Sequence, residues 1–331
     1  MEHEEIYDLT IIGGGPVGLF GLFYAGMREM KTKVIDSLQE LGGQLIAIYP
    51  EKYIYDMPGF PKVKAKDLVR DMVEQGLQYG ATTALGEMVQ TLRRREDGIW
   101  ELRTHRGITH LSRTVVITVG AGGFEPRKID LPGLDELEGR DVFYFVTDLE
   151  AFRDRDVLII GGGDSAVDWA LHLREIARSI ALCHRRDKFR AHEGTVKELL
   201  ASACEVNLFW EVKALHVEEG RLRGVTIYHN KTNEERDLTV DTMILSLGFI
   251  ADLGPVREWG LEMSGRGIQV NSRMETNLPG VYSAGDVATF DGKLKLIATG
   301  TGEVTIAVNY AKTFIDPTAG AFPGHSSELI K

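Results

Sequence analysis

The sequence predicts an α/β chain in which a three-layer, Rossmann-like domain is built twice, the second copy inserted into the first. Three observations predict it. Residues 9–19, LTIIGGGPVGL, are an apolar run that ends in glycines and passes into a second apolar pattern, which reads as strand, tight turn and helix. The same succession returns at residues 157–173, VLIIGGGDSAVDWALHL. Residues 281–286, VYSAGD, then read as a closing strand of the first copy, met only after the second copy is complete.

In the first turn Gly13, Gly15 and Gly18 fill the G-x-G-x-x-G positions, with Pro16 and Val17 opening the helix. The first glycine permits the sharp turn, the second lets backbone approach a pyrophosphate, and the third lets helix pack closely on strand. Unpaired N–H groups and the positive end of the helix dipole then face the phosphates. Asp36 ends a second apolar stretch 23 residues after Gly13, where an acid meets a ribose diol. A dinucleotide with a free ribose diol, such as FAD, is expected here.

Beyond Asp36, the Gly42-Gly43 pair and the aromatic and proline residues that follow predict a compact loop rather than regular structure. Residues 67–78 predict an amphipathic helix with Leu68, Met72, Val73 and Leu77 on one face. Residues 85–119 read as short strands with turns at Asp97-Gly98 and Arg106-Gly107.

The second cycle places Gly161, Gly163 and Ala166 at the fingerprint positions, with Asp164 and Ser165 opening its helix. Its next apolar run ends at His184, again 23 residues after the first glycine, and Arg185, Arg186 and Arg190 follow. A carboxylate at this place would repel a 2′-phosphate, whereas guanidinium groups clamp it with paired hydrogen bonds. The second site is therefore expected to take NADPH. Strands over residues 212–247 lead to Gly248, and residues 293–302 lead into a helix expected over residues 303–312, its positive end toward the first site.

Bulk properties narrow the function. A chain of 331 residues, 43% hydrophobic, builds two cores. Its net charge of −11 argues against a nucleic-acid partner. Cys183 and Cys204 are too far apart for a C-x-x-C pair or a zinc knuckle and read as buried, inert thiols; no metal site is expected. No apolar run has transmembrane length and the acidic start carries no signal peptide, so no membrane association and a cytoplasmic location are expected.

Taken together, IIGGGPVGL, LGGQL, GGGDSAVDWA, HRRDKFR and TNLPGVYSAGDVA resemble the two-dinucleotide-binding flavoprotein family, in its thioredoxin-reductase-like branch. The resemblance implies FAD in a split domain (residues 1–119 and 249–331), NADPH in the inserted one (residues 120–248), and a homodimer. Thioredoxin reductases carry a C-x-x-C pair before the second glycine turn, but residues 141–152, DVFYFVTDLEAF, hold no cysteine. A relay through a dithiol is thereby excluded. Chains of this shape without the dithiol, and with a C-terminal extension such as AFPGHSSELI, resemble the thioredoxin-reductase-like ferredoxin–NADP⁺ reductases.

In that group the positions matching Asp36, Gln44, Tyr49, Val89, Phe124, Asp286 and Ser327 contact FAD. Gly43, Leu45 and Gly285 lie in the same matched stretches, and Asp56 is expected at the same cofactor site. Tyr49 resembles the aromatic that stacks on one flavin face, and His325 the ring that covers the other. The resemblance implies electron transfer between NADPH and ferredoxin or flavodoxin, by hydride transfer to the flavin and one-electron release. The cofactor carries that chemistry, so no catalytic side chain is expected. Two other readings share these motifs: a diaphorase or quinone-type flavoenzyme, and a non-enzymatic flavin- and NADPH-binding protein. Glycine-rich crossings at residues 120–123 and 248–249 are expected as hinges or linkers, and Lys62, Lys64 and Lys66 or residues 93–95 as a basic patch for an acidic carrier.

Overall fold

A computed structural model describes residues 5–322 and 324. The chain forms two compact units, Met1–Gly123 with Ala251–Lys331, and Phe124–Ile250.

The first unit is organised on the strand Ile6–Ile12, whose Leu9 and Ile11 are fully buried. It pairs in parallel with Thr32–Asp36 on one side and Thr109–Ile117 on the other, and Thr82–Leu85 adds in parallel beyond Thr32–Asp36. Strands covered on both faces carry near-continuous apolar residues, which is what LTII of the first strand and TVVI of Thr109–Ile117 supply. The strand Val281–Ser283 pairs in parallel with Thr109–Ile117, Val281 opposite Val115, so the sheet is completed by residues from beyond the second unit. Antiparallel strands Trp100–Thr104 and Val89–Arg94 extend from the same Thr109–Ile117 edge. Helices Pro16–Met27, Ala65–Leu77 and Ile297–Ile315 pack with the sheet around one core.

The second unit repeats the plan. Five strands lie in the order Val142–Phe143, Thr242–Ser246, Asp156–Gly161, Ser179–His184, Glu205–Leu208, all parallel. A separate antiparallel sheet, Trp210–Glu218, Arg221–His229 and Glu235–Thr239, shares its core through Leu222, Val225 and Ile227.

Three expectations need correction. The stretch after Asp36 is not wholly irregular: Gln44–Ala47 forms one helical turn and Tyr53–Ile54 pairs with Val63–Lys64. The last helix starts at Ile297, not at residue 303. Thr299 explains the earlier start, because its hydroxyl accepts from the Leu296 N–H (3.4 Å) and donates to the Leu294 or Leu296 carbonyl (2.9 Å each). Gly300, a poor helix former, is tolerated because a Cβ there would come 2.5 Å from the Val17 side chain. Finally, only Cys183 is fully buried, while Cys204 is half-buried with its thiol 3.6 Å from the Ala170 carbonyl.

Candidate functional site

The first unit builds one site at the carboxyl ends of its parallel strands, where open α/β sheets bind ligands. Gly13 turns the chain at φ +105°, and a Cβ there would lie 2.6 Å from the Thr118 carbonyl oxygen. A Cβ on Gly18 would lie 2.0 Å from the Gly13 carbonyl oxygen, so only glycine lets the helix begin this close to the turn. Gly15 caps the helix Pro16–Met27 without any side-chain cap bond, and Pro16 occupies the first turn, where its missing N–H costs nothing. The space over Gly15 is open except for the Gly43 Cα at 4.0 Å. That is a cradle of free N–H groups under an unfilled surface, and it fits a pyrophosphate.

Asp36 is buried at the end of its strand. Its carboxylate accepts from the Gly14 N–H (2.5 Å) and from the Leu38 N–H (2.8 Å). Burial raises its pKa, and the two N–H donors oppose that rise. Two of its lone-pair sites are used, which leaves acceptor capacity for ribose hydroxyls. The Gly42 N–H donates to the Gly14 carbonyl (2.9 Å), which ties LGGQL to the glycine turn and sets Gly43, Gln44 and the buried Leu45 beside it. A Cβ on Gly120 would lie 3.2 Å from Gln44 Nε2, so this amide reaches the end of the central strands.

Tyr49, Asp56 and Asp286 are also brought together. Burial raises the Tyr49 phenol, and the carboxylates of Asp286 and then Asp56 raise it further. Gly285 turns at φ +79°, with Val17 of the glycine-motif helix 3.2 Å from where its Cβ would be. Beneath this turn lies a residue that sequence reasoning missed. Glu303 Oε2 accepts from the Gly285 N–H at 2.8 Å, and the Lys293 ammonium closes on the same carboxylate; both side chains are under 10% exposed. An acid on the otherwise apolar stripe Gly300, Val304, Ala307, Val308 was the available signal.

Val89 is buried in the core at the start of its strand. Phe124 lies on the strand Gly123–Pro126. His325 and Ser327 lie outside the described residues.

The second unit builds a similar turn with different chemistry. A Cβ on Gly161 would lie 2.4 Å from the Ser246 carbonyl oxygen and 3.0 Å from the Ala166 Cβ. Gly163 caps the helix Asp164–Leu173 without a side-chain bond, and nothing lies within 4 Å of where its Cβ would be, so this cradle also fits a pyrophosphate. His184, at the place of Asp36, is buried to a similar degree, and its ring is held by its own neighbours. A Cβ on Gly162 would meet its ring at 2.2 Å, it stacks on Phe189 (5.1 Å), and its Nε2 lies 3.0 Å from the Lys188 carbonyl.

The loop after His184 is fastened to the glycine turn. The Arg190 N–H donates to the Gly162 carbonyl (2.7 Å), and the His192 N–H to Asp164 Oδ1 (2.9 Å). Ser165 is exposed beside Asp164 at the helix start. Arg185, Arg186 and Arg190 are exposed, and none of the ion pairs among the described residues engages them. Three unpaired guanidinium groups held beside a helix N-terminus suit an extra phosphate.

Burial pushes the Cys183 thiol up to about 12, so it is neutral at pH 7 and no nucleophile. Among the described residues no group of His, Cys, Asp and Glu could hold a metal ion, and no helix is long and apolar enough to cross a membrane.

Two parallel sheets, each ending in a glycine turn under an open helix N-terminus, define a protein with two dinucleotide sites. A family model for pyridine nucleotide-disulphide oxidoreductases matches residues 7–308. A ferredoxin–NADP reductase 2 of Shouchella clausii is 53% identical over 329 residues, 99% of each chain, and the ferredoxin–NADP reductase of Halalkalibacterium halodurans is 51% identical over 99% of each. Among solved structures, Lactococcus lactis thioredoxin reductase superposes with a TM-score of 0.76 at 27% identity, over 93% of this chain and 99% of that one. The chain therefore belongs to the pyridine nucleotide-disulphide oxidoreductase family and, within it, to the ferredoxin–NADP reductases, the group its motifs resemble.

Proposed function

We propose that this protein is an FAD-dependent oxidoreductase that passes electrons between NADPH and ferredoxin or flavodoxin. The observation that carries the reading is the repeated glycine turn with opposite chemistry at its far end, Asp36 in one unit and the Arg185, Arg186 and Arg190 loop in the other. Bound FAD supplies the redox chemistry, taking two electrons from NADPH and releasing them one at a time.

The chain's own residues bind and orient. Gly13, Gly15 and Gly18 with the following helix hold the FAD pyrophosphate, and Asp36 accepts the ribose hydroxyls. Tyr49, Gln44, Asp56 and Asp286 surround the flavin half, where Tyr49 offers a ring face for stacking. Gly161, Gly163 and the helix Asp164–Leu173 hold the NADPH pyrophosphate, and the three arginines hold its 2′-phosphate. The first unit is thus the FAD domain and the second the NADPH domain. A homodimer and a cytoplasmic location complete the reading, on the strength of the family resemblance.

For the carrier, the expected basic patch is thinner than the sequence suggests. Lys64 and Lys66 both close on Glu51, and Arg95 pairs with Asp97 at 3.1 Å. Lys62 has no carboxylate partner among the described residues; it sits 4.8 Å over the Tyr53 ring, on a loop that also exposes Tyr55 and Phe60. This loop, one cation among exposed aromatic rings, is the docking surface we favour for an acidic carrier. The test is NADPH-driven cytochrome c reduction with and without ferredoxin. A large ferredoxin-dependent rate that saturates in carrier supports the reading, and a Lys62→Glu variant should then lower it and flatten its salt dependence. A rate indifferent to ferredoxin would assign the protein to diaphorase chemistry with small acceptors.

A further inference from the structure

The arginine loop of the second unit is held by a hydrogen bond from Asn230, a residue outside the glycine turn and the arginine run. Asn230 Nδ2 donates to the Arg185 carbonyl (2.9 Å) and to Glu211 Oε1 (2.9 Å). Both partners are acceptors, so the amide orientation is settled: a flipped Asn230 would face them with its oxygen. The Asn230 N–H in turn donates to the Phe209 carbonyl (2.8 Å), and the Phe209 N–H to the His184 carbonyl (2.7 Å). One short chain of bonds therefore runs from the end of the strand Ser179–His184 through Phe209 to Asn230 and back onto Arg185.

Two features of this chain are costly for the fold. Phe209 has φ +67°, a left-handed conformation that a bulky side chain rarely adopts. Asn230 Oδ1 is buried without a hydrogen-bond partner among the described residues. Strain and an unpaired polar atom at one place point to a functional constraint rather than to packing.

We infer that Asn230 is a positioning residue for nucleotide specificity: by fixing the Arg185 backbone it aims the guanidinium groups at the 2′-phosphate, and so separates NADPH from NADH. This rests on the NADPH reading of the site. A loop released from Asn230 keeps its charges but loses their preorganised arrangement, and the loss falls on the ligand that needs the arrangement.

The experiment titrates the purified, FAD-loaded protein with 2′,5′-ADP and with 5′-AMP by calorimetry. Asn230→Ala and Asn230→Leu should each weaken 2′,5′-ADP about tenfold, ~1.4 kcal/mol, and leave 5′-AMP within about twofold. The readout is a ratio of affinities in one preparation, so partial unfolding cannot imitate it. An unchanged ratio in both variants overturns the inference. Arg185→Ala with Arg186→Ala serves as the reference. If that variant loses 2′,5′-ADP selectively and the Asn230 variants do not, only the Asn230 role falls. If wild-type protein shows no preference for 2′,5′-ADP, the NADPH assignment falls and the inference with it.

Discussion

The buried pair Lys293–Glu303 offers the sharpest test of how the flavin-side turn is held. Its side chains are 7% and 8% exposed, so solvent screens it little. Glu303→Ala leaves the Lys293 ammonium buried without a counter-charge, and the Gly285 N–H without its acceptor. Breaking one half of a buried ion pair costs about 3–5 kcal/mol, with the lost Gly285 bond contained in that figure. With a urea slope of about 2 kcal/mol per molar, the midpoint of the apoprotein's unfolding should fall by roughly 2 M. The double variant Glu303→Leu with Lys293→Met removes both charges. Replacing a buried pair by apolar groups is neutral or stabilising by about 1–4 kcal/mol, against about 1–3 kcal/mol for the unpaired Gly285 N–H. Its midpoint should therefore lie within about 1.5 M of wild type and above that of the single variant. Unfolding would be followed by far-UV circular dichroism at constant slope. A single variant as stable as wild type, or a double variant as unstable as the single one, would refute the claim that this carboxylate neutralises Lys293 while holding Gly285.

Three further outcomes follow from the geometry. Gly18→Ala places a methyl group 2.0 Å from the Gly13 carbonyl oxygen; the turn must open, and the protein should purify with little FAD, read from the ratio of absorbance at the flavin band to that of protein. Asp36→Ala removes the acceptor of the Gly14 N–H and of the ribose, at about 1–3 kcal/mol, so the FAD dissociation constant should rise roughly 5- to 150-fold in a fluorescence titration; an unchanged constant removes Asp36 from the site. Cys183 gives a pH signature. Its folded pKa, about 12, lies above its unfolded value of 9.0, so above pH 9 the unfolded chain sheds a proton that the folded chain keeps. Stability contributed by this group is thus intact below pH 9 and declines as pH rises toward 12, by about 1.4 kcal/mol per unit. A Cys183→Ala variant should show a shallower alkaline loss in urea unfolding, and identical slopes would contradict the burial argument.

Much of this protein was legible in its sequence because the chemistry is local. A glycine turn between strand and helix needs residues only a few positions apart, and its two occurrences, followed 23 residues on by Asp36 in one unit and by His184 and the arginine loop in the other, mark where the two dinucleotides are proposed to bind. The returning strand Val281–Ser283 was likewise readable from its apolar run and glycine. Propensity misplaced the last helix start, since two glycines weaken the segment and only Val17, packed against Gly300 from the far end of the chain, makes glycine necessary there.

Tertiary structure alone decided which charged residues face a ligand and which hold the scaffold. His184, the counterpart of Asp36, packs its ring under Gly162, a contact no local pattern announces. Lys64 and Lys66 looked like docking charges and are engaged by Glu51. Glu303 lies 18 residues from Gly285 and Asn230 lies 45 from Arg185, yet each holds a site backbone by one hydrogen bond. Sequence records local backbone geometry and periodic burial. The pairing of a particular charge or amide with a distant carbonyl or N–H depends on how strands are ordered in the sheet, and that order exists only once the chain has folded.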